Sequence, residues 1–228
     1  MSGQGQDHCV VELAGERVWL LAQKAVYWPE RKMLVIADIH FGKAASFRAL
    51  GVPVPRGTTT QNLLALDALL AAHDCEEIVF LGDFLHARAA HAPATVAAML
   101  AWRHRHPRLR LTVVRGNHDL HAGDPAAALG IHMADEPHTV GHLSFCHHPE
   151  TPAPGHVLAG HVHPVFHLRA TATGLRGGLR LPCFLLGAAR TVLPSFGAFT
   201  GGHAVRPASG ERVYVTADAV IFALPPHC

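Results

Sequence analysis

Short apolar runs, each broken by a polar turn, set the pattern of this chain. From about Val10 to Tyr27 the sequence reads as two or three β segments, with Trp19, Leu20 and Leu21 apolar and Gly15 at a turn. Pro29, Glu30 and Arg31 make the next turn. Met33 to Ala37 is a near-continuous apolar run, the pattern of a strand buried on both faces, and Ile78 to Leu81 and Leu109 to Val114 repeat it. Between these runs, Phe41 to Pro55 is expected to be a loop. Thr58 with Gln61 offers a capping box ahead of Leu63, Leu66 and Leu70 at helical spacing. Pro93 opens a second helix that reaches His106. The basic cluster from Arg103 to Arg110 fits a solvated helix end better than a phosphate-binding surface, because cations offset the helix dipole there. Beyond Gly130 the segments become short and β-rich: Leu143 to Cys146, Val157 to Ala159, Cys183 to Leu186 and Phe196 to Gly202, with a turn from Gly174 to Gly178. No internal repeat or long linker divides the chain, so residues 1–228 are expected to form a single domain.

The residues that end these runs carry the chemistry. Met33 to Ala37 stops at Asp38-Ile39-His40, and alternation along an extended chain would put both polar side chains on one side. Ile78 to Leu81 runs into Gly82-Asp83, with His86 three residues on. Leu109 to Val114 breaks, in an expected loop, at Arg115-Gly116-Asn117-His118-Asp119. The later runs end in His147-His148 and in Gly160-His161-Val162-His163. Open α/β sheets bind ligands at such strand ends. Chance explains one of them. Five, built only from Asp, Asn and His, point to one site. Oxygen and nitrogen donors without thiolate suit divalent manganese, iron or zinc, whereas a structural zinc site usually enlists cysteine. Two such ions bridged by a carboxylate can activate a water and clamp a phosphoryl group. In the central stretch, Asn117 can hold a metal or a phosphate, His118 can transfer a proton near neutral pH, and Asp119 can orient that imidazole.

Composition changes this picture little. A chain of 228 residues, 49% hydrophobic, has ample material for a core and is too apolar for extensive disorder. A net charge of +2 does not mark a nucleic-acid binder by itself. No apolar run approaches membrane-spanning length and Met1 to Asp7 is polar, so a cytoplasmic location away from membranes is expected. The five cysteines are odd in number and not closely paired, which suits free thiols in a reducing compartment. The twenty histidines exceed ordinary usage, and only those beside carboxylates at strand ends draw a functional reading.

Asp38-Ile39-His40, Gly82-Asp83-Phe84-Leu85-His86, Gly116-Asn117-His118-Asp119, His147 and Gly160-His161-Val162-His163 resemble the five motif blocks of the calcineurin-like metallophosphoesterases, in the family's order. Three further stretches narrow the resemblance: Phe41 to Arg48, Pro53 to Gly57 and Leu193 to Gly201. These look like the bacterial ligase-associated DNA damage response endonucleases and phosphodiesterases. The resemblance implies an α/β fold, a β-sandwich of two mixed sheets flanked by helices in four α/β/β/α layers. It implies two divalent ions, manganese first, with iron or zinc possible. Asp38, His40, Asp83 and His163 would hold one ion. Asp83, Asn117, His147 and His161 would hold the other, with Asp83 bridging. A metal-bridging hydroxide would attack phosphorus, His118 would assist at the phosphoryl or leaving oxygen, and Asp119 would orient His118. The implied partners are a nucleic-acid substrate, DNA favoured, together with a ligase and a helicase.

Some assignments stay open. Strand alternation turns His147 and His148 to opposite sides without saying which meets the metals, and only the family pattern favours His147. Substrate contacts are expected among His86, Arg48 and Arg115, with loop packing the alternative for His86 and loop pinning for Arg115, and Arg56, Arg88 and Arg190 are further candidate phosphate clamps. An alternative substrate is a nucleotide or other small phosphoester, which the lack of a strong basic stripe favours. A catalytically inactive protein-binding scaffold is the third reading, opposed by the presence of His118 and every ligand position.

Overall fold

A strand that is apolar on both sides needs cover on both faces, and here a second sheet covers one face and helices the other. The structure, a computed structural model, describes residues 6–54, 57–169 and 178–225. The first sheet contains β1 (His8–Leu13), β2 (Glu16–Leu21), β3 (Ala25–Trp28), β4 (Met33–Ile36), β5 (Glu77–Leu81), β6 (Arg110–Val114) and β7 (His132–Ala134), side by side in chain order. Its pairs are antiparallel as far as β4 and parallel from β4 to β7. The second sheet is built from β8 (His138–Val140), β9 (Leu143–Cys146), β10 (His156–Ala159), β11 (Pro164–Arg169), β12 (Gly178–Leu186), β13 (Arg190–Val192), β14 (His203–Ala204), β15 (Arg212–Ala217) and β16 (Val220–Ala223). At its centre β9, β10 and β13 run parallel.

Alternation divides the core between two clusters. Along β4, Leu34 and Ile36 face the helices, while Met33 and Val35 face the second sheet. Along β5, Ile78 and Phe80 take the first side and Val79 and Leu81 the second. The helices are α1 (Lys43–Ala49), α2 (Thr58–Ala72), α3 (Pro93–Arg105) and α4 (Asn117–Ala122). Leu63, Leu66 and Leu69 of α2 and Met99 and Trp102 of α3 pack onto the first sheet. On the outer side of the second sheet Cys183, Val213 and Val215 pack with Leu181 and Phe222. The expected sandwich of two mixed sheets flanked by helices is what the chain builds, and among the described residues every α-helix precedes β7.

Several local expectations change. The expected loop from Phe41 contains α1, whose seven residues are rich in helix formers but too few to display a period. The Thr58–Gln61 capping box does not form. The N-cap is Gly57 at φ 91°, and Thr58 already lies inside α2. The loop expected after β6 is α4, six residues long. Phe196 to Gly202 is not a strand, because its amides bond elsewhere: Phe196 N–H to the Ala37 carbonyl at 2.9 Å and Ala198 N–H to Asn62 Oδ1 at 2.9 Å. The turn expected from Gly174 lies outside the described residues until Gly178, where β12 begins.

Candidate metal centre

Parallel β4, β5 and β6 all finish at one edge of the first sheet, and the turns after β9 and β10 of the second arrive at the same place. The side chains do not converge by strand alternation, however. β4 ends at Ile36 and β10 at Ala159, and beyond them Asp38, His40, Asp83, His161 and His163 all take left-handed backbone, at φ 53°, 50°, 50°, 68° and 50°. Coiling, not extension, brings Asp38 and His40 together. Such backbone disfavours a residue with a Cβ by about 1–2 kcal/mol, so the surroundings must hold it. The Ser195 hydroxyl donates to the Asp38 carbonyl at 2.8 Å, the Asn62 amide to the Ile39 carbonyl at 2.9 Å, and His40 N–H to the Asp83 carbonyl at 2.9 Å. Two glycines permit the crowding. A Cβ at Gly82 would strike the His147 ring, and one at Gly116 would strike Asp83.

Two donor sets result. Ring nitrogens and carboxylate oxygens of Asp38, His40, Asp83 and His163 lie within 4.8 Å of one another. His40 Nε2 is 3.4 Å from His163 Nε2 and 3.7 Å from Asp83 Oδ2, and His163 Nε2 is 3.4 Å from Asp38 Oδ1. On the other side of Asp83, His147 Nε2 lies 2.9 Å from Asn117 Oδ1, 3.0 Å from His161 Nδ1 and 3.5 Å from Asp83 Oδ1. The His147 Nδ1–H donates to the Leu81 carbonyl at 3.0 Å, which leaves Nε2 as a bare lone pair facing other acceptors. His148 is held differently, with Nδ1 against Glu136 Oε1 at 2.6 Å, although its ring also borders His147 and His161.

These donors fit a divalent cation. Asp38 and Asp83 are buried, and each accepts a backbone N–H, from His161 and His118 respectively. The imidazoles near them stand at 3.4–3.9 Å, beyond hydrogen-bond length. Ligand atoms about 2.1 Å from one ion sit roughly 3–3.5 Å apart, which is this spacing. Burial first, and then Lys43 and the neighbouring rings, push the His40 imidazole far below its ordinary pKa. Burial likewise lowers His161, helped by His147 and His148 and opposed by Asp83 and Asp38. Neutral rings keep the lone pairs that a metal requires.

The remaining expected residues divide. His118 stands at the centre: its Nδ1–H donates to the His86 carbonyl at 2.7 Å, and its Nε2 is 3.9 Å from Asp83 Oδ2. The role expected for Asp119 is corrected. Its carboxylate accepts from the amides of Leu85 at 2.9 Å, Gly116 at 3.0 Å and Phe84 at 3.3 Å, so it pins two loops while a carbonyl orients His118. Burial raises its pKa against those donors. Of the two readings of Arg115, the loop-pinning one matches its contacts, because its guanidinium forms a two-pronged pair with Asp124 at 2.9 and 3.1 Å. His86 does belong here. It stacks on His118 with ring centres 4.6 Å apart, and burial, His118 and Lys43 take its pKa down to about 4. Arg48 is exposed on α1, and Arg88 is exposed on the turn after His86. Arg190 pairs with Val157, at the end of the second sheet away from this edge. Arg56 lies outside the described residues.

Two residues escape a sequence reading. Lys43, at the start of α1, is half-buried where Asp83 and Asp38 raise its pKa against the larger lowering by burial. Its place three residues after His40 was the available signal. Glu136 accepts the amides of His147 and His148 at 2.6 and 2.9 Å, and no spacing in the sequence links it to either.

Residues 31–144 match the family model for calcineurin-like phosphoesterases, and the chain belongs to that family. With its Asp/His clusters, this makes the edge a divalent metal centre and the protein a metal-dependent phosphodiesterase. Among solved structures, the chain is similar to a crystal structure of Pseudomonas putida nuclease MPE, at 46% identity and a TM-score of 0.83, over 95% of this chain and 100% of that one. A search of curated proteins finds no match. Among the described residues no helix is long and apolar enough to cross a membrane.

Proposed function

We propose that this phosphodiesterase cleaves nucleic acid, DNA in preference, as an endonuclease linked to the DNA damage response, and that two manganese ions serve it. One observation carries the two-ion reading: Asp83 turns Oδ2 toward His40 at 3.7 Å and Oδ1 toward His147 at 3.5 Å, between the group of Asp38, His40 and His163 and that of Asn117, His147 and His161, with Nε2 of His118 3.9 Å from Oδ2. Asp38, His40, Asp83 and His163 would hold one ion, and Asp83, Asn117, His147 and His161 the other. Iron or zinc suit the same oxygen and nitrogen donors. When bound, the ions supply Lewis-acid polarisation of the phosphoryl group and lower the pKa of an attacking water. The nucleic-acid part draws its support from the similar chain, which is named a nuclease.

The protein's own groups do the rest. With Nδ1–H committed to the His86 carbonyl, His118 in its protonated form offers Nε2–H to a phosphoryl oxygen, or passes that proton to the leaving oxygen as the P–O bond breaks. Lys43 adds positive charge close to Asp83 and Asp38, where an anionic diester would bind. Asp119 and Glu136 hold the loops that carry these groups. All of this we assign to one domain spanning 1–228. The resemblance to the ligase-associated group supports a ligase and a helicase as partners in the cytoplasm, tested by co-purification from cells.

Rates on DNA strands, cyclic nucleotides and phosphomonoesters, compared in manganese, test the substrate. DNA should be cleaved best. A many-fold preference for the small esters would reject the nuclease reading and leave the metal chemistry standing.

A further inference from the structure

Phe47 of α1 and Phe199 of the 193–202 loop take no part in the metal chemistry, yet they meet at its rim. Their rings pack edge to face at 5.9 Å and 85°. Phe47 in turn lies nearly parallel to His86, at 6.1 Å and 18°, and His86 stacks on His118 at 4.6 Å and 23°. A row of four rings therefore leads outward from the imidazole beside Asp83. Phe47 and His86 are occupied by neighbouring rings, and Phe199, 37% exposed, ends the row at solvent.

A single exposed phenylalanine ordinarily needs no explanation. This one differs in where it is anchored. Its loop is fixed under the Asp38 turn by buried Phe196, by Ala198 N–H on Asn62 and by the Thr200 hydroxyl on the Gly197 carbonyl at 2.8 Å. The ring is thus held ready, which lowers the entropy lost when something flat lies on it. It also has no polar group of its own, so it recognises a π-face and not a charge. Beside a scissile phosphodiester in a nucleic acid, the flat apolar surface is the nucleobase.

We propose that Phe199, backed by Phe47, stacks a nucleobase of the bound strand within a few nucleotides of the scissile phosphate. The inference rests on the nucleic-acid reading above and adds the surface that grips the strand. Base stacking tolerates any sequence, so it contributes affinity without base preference.

The test uses the full chain in manganese and a set of short deoxyoligonucleotides, each with one base replaced by an abasic spacer. Consumption of the labelled strand gives KM. One spacer position should raise the KM of the unaltered enzyme by about 5–100-fold, the range expected for one base on one aromatic ring. Phe199→Ala should show a similar rise with the intact strand and no further rise with that spacer, and Phe199→Trp should restore the original pattern. 2-Aminopurine at the same position should be quenched on binding to the unaltered enzyme and not to Phe199→Ala. Insensitivity to the spacer at every position, or a spacer penalty that adds in full to that of Phe199→Ala, would overturn the platform alone. Hydrolysis of bis(p-nitrophenyl) phosphate without cleavage of any oligonucleotide would overturn the nucleic-acid reading and this inference together.

Discussion

The two ends of the parallel strands in the first sheet both gather acids, histidines and cations, and they differ in how those groups are paired. Where β6 begins, Asp67 accepts from Trp102 Nε1 at 2.8 Å, Arg105 at 2.8 Å and His106 at 2.7 Å. Arg103 donates to the carbonyls of His106 and Leu109, both at 2.6 Å, and Arg110 pairs with Glu77 at 3.2 Å. Each of these donors has an acceptor. Where β4, β5 and β6 finish, the groups converge on one another: His147, its Nδ1–H on the Leu81 carbonyl, turns Nε2 to Asn117 Oδ1 at 2.9 Å, and Nε2 of His40 meets Nε2 of His163 at 3.4 Å. Polarity and histidine content therefore do not mark a site. Nitrogen and oxygen ligand atoms that converge around buried carboxylates do, because a buried carboxylate with no cation beside it is unfavourable.

That contrast can be broken most sharply at Asp83, the carboxylate common to both donor sets. Asp83→Asn should abolish bis(p-nitrophenyl) phosphate hydrolysis in manganese, with a loss well beyond the roughly 10–100-fold typical of a supporting residue. Full activity in a folded variant would end the shared-ligand account. His118→Ala should lower kcat by about 100–10,000-fold while calorimetry still records metal binding, the separation expected of a group that moves protons and holds no ion.

Stability separates the two ends next. Manganese at a hundred times its dissociation constant should add about 2.7 kcal/mol to the folded state, a rise of roughly 5–11 °C in Tm that chelation reverses. Asp67→Ala should retain that response in full while itself lowering stability by about 1–3 kcal/mol, since it strands the Trp102 N–H. An equal metal response in Asp83→Asn would erase the distinction. The smallest effect is in acid. Burial alone would raise the Asp67 carboxyl, but bonds from His106, Arg105 and Trp102 outweigh it and hold it below the ordinary 3.8. A depressed folded-state pKa lends stability above the unfolded value and loses it as pH falls through the folded one. The advantage over Asp67→Ala should thus be complete above about pH 4 and shrink below it, as denaturation monitored across pH 2–6 will reveal.

The sequence discloses what repeats and hides what is unique. The apolar runs ending at Ile36, Leu81, Val114, Cys146 and Ala159 are legible because burial on both faces writes itself as uninterrupted Val, Ile, Leu and Phe. So is the gathering of Asp38, His40, Asp83, Asn117, His118, His147, His161 and His163, since parallel strands deliver the residues after them to one edge. Hydrogen-bond direction is not written there. Asp119 sits next to His118 and turns to the amides of Leu85 and Gly116 instead, and Arg115 turns to Asp124. Nor is backbone handedness. Asp38-Ile39-His40 reads as strand by its pattern and is a left-handed turn by geometry, fixed by Ser195 from 157 positions away.

That left-handed backbone has a consequence for durability. Asp38, His40, Asp83, His161 and His163, the five left-handed positions at the metal centre, each strained by about 1–3 kcal/mol, carry a total comparable with the whole net stability of an ordinary domain. The metal-free protein should therefore gain from losing its own chemistry. Replacing exposed His161 with glycine removes one strained Cβ and one proposed ligand together, and the result should be a dead enzyme that melts a few degrees later than its active parent when both are stripped of metal. Function and robustness would then be set against each other by the torsion angle of single residues.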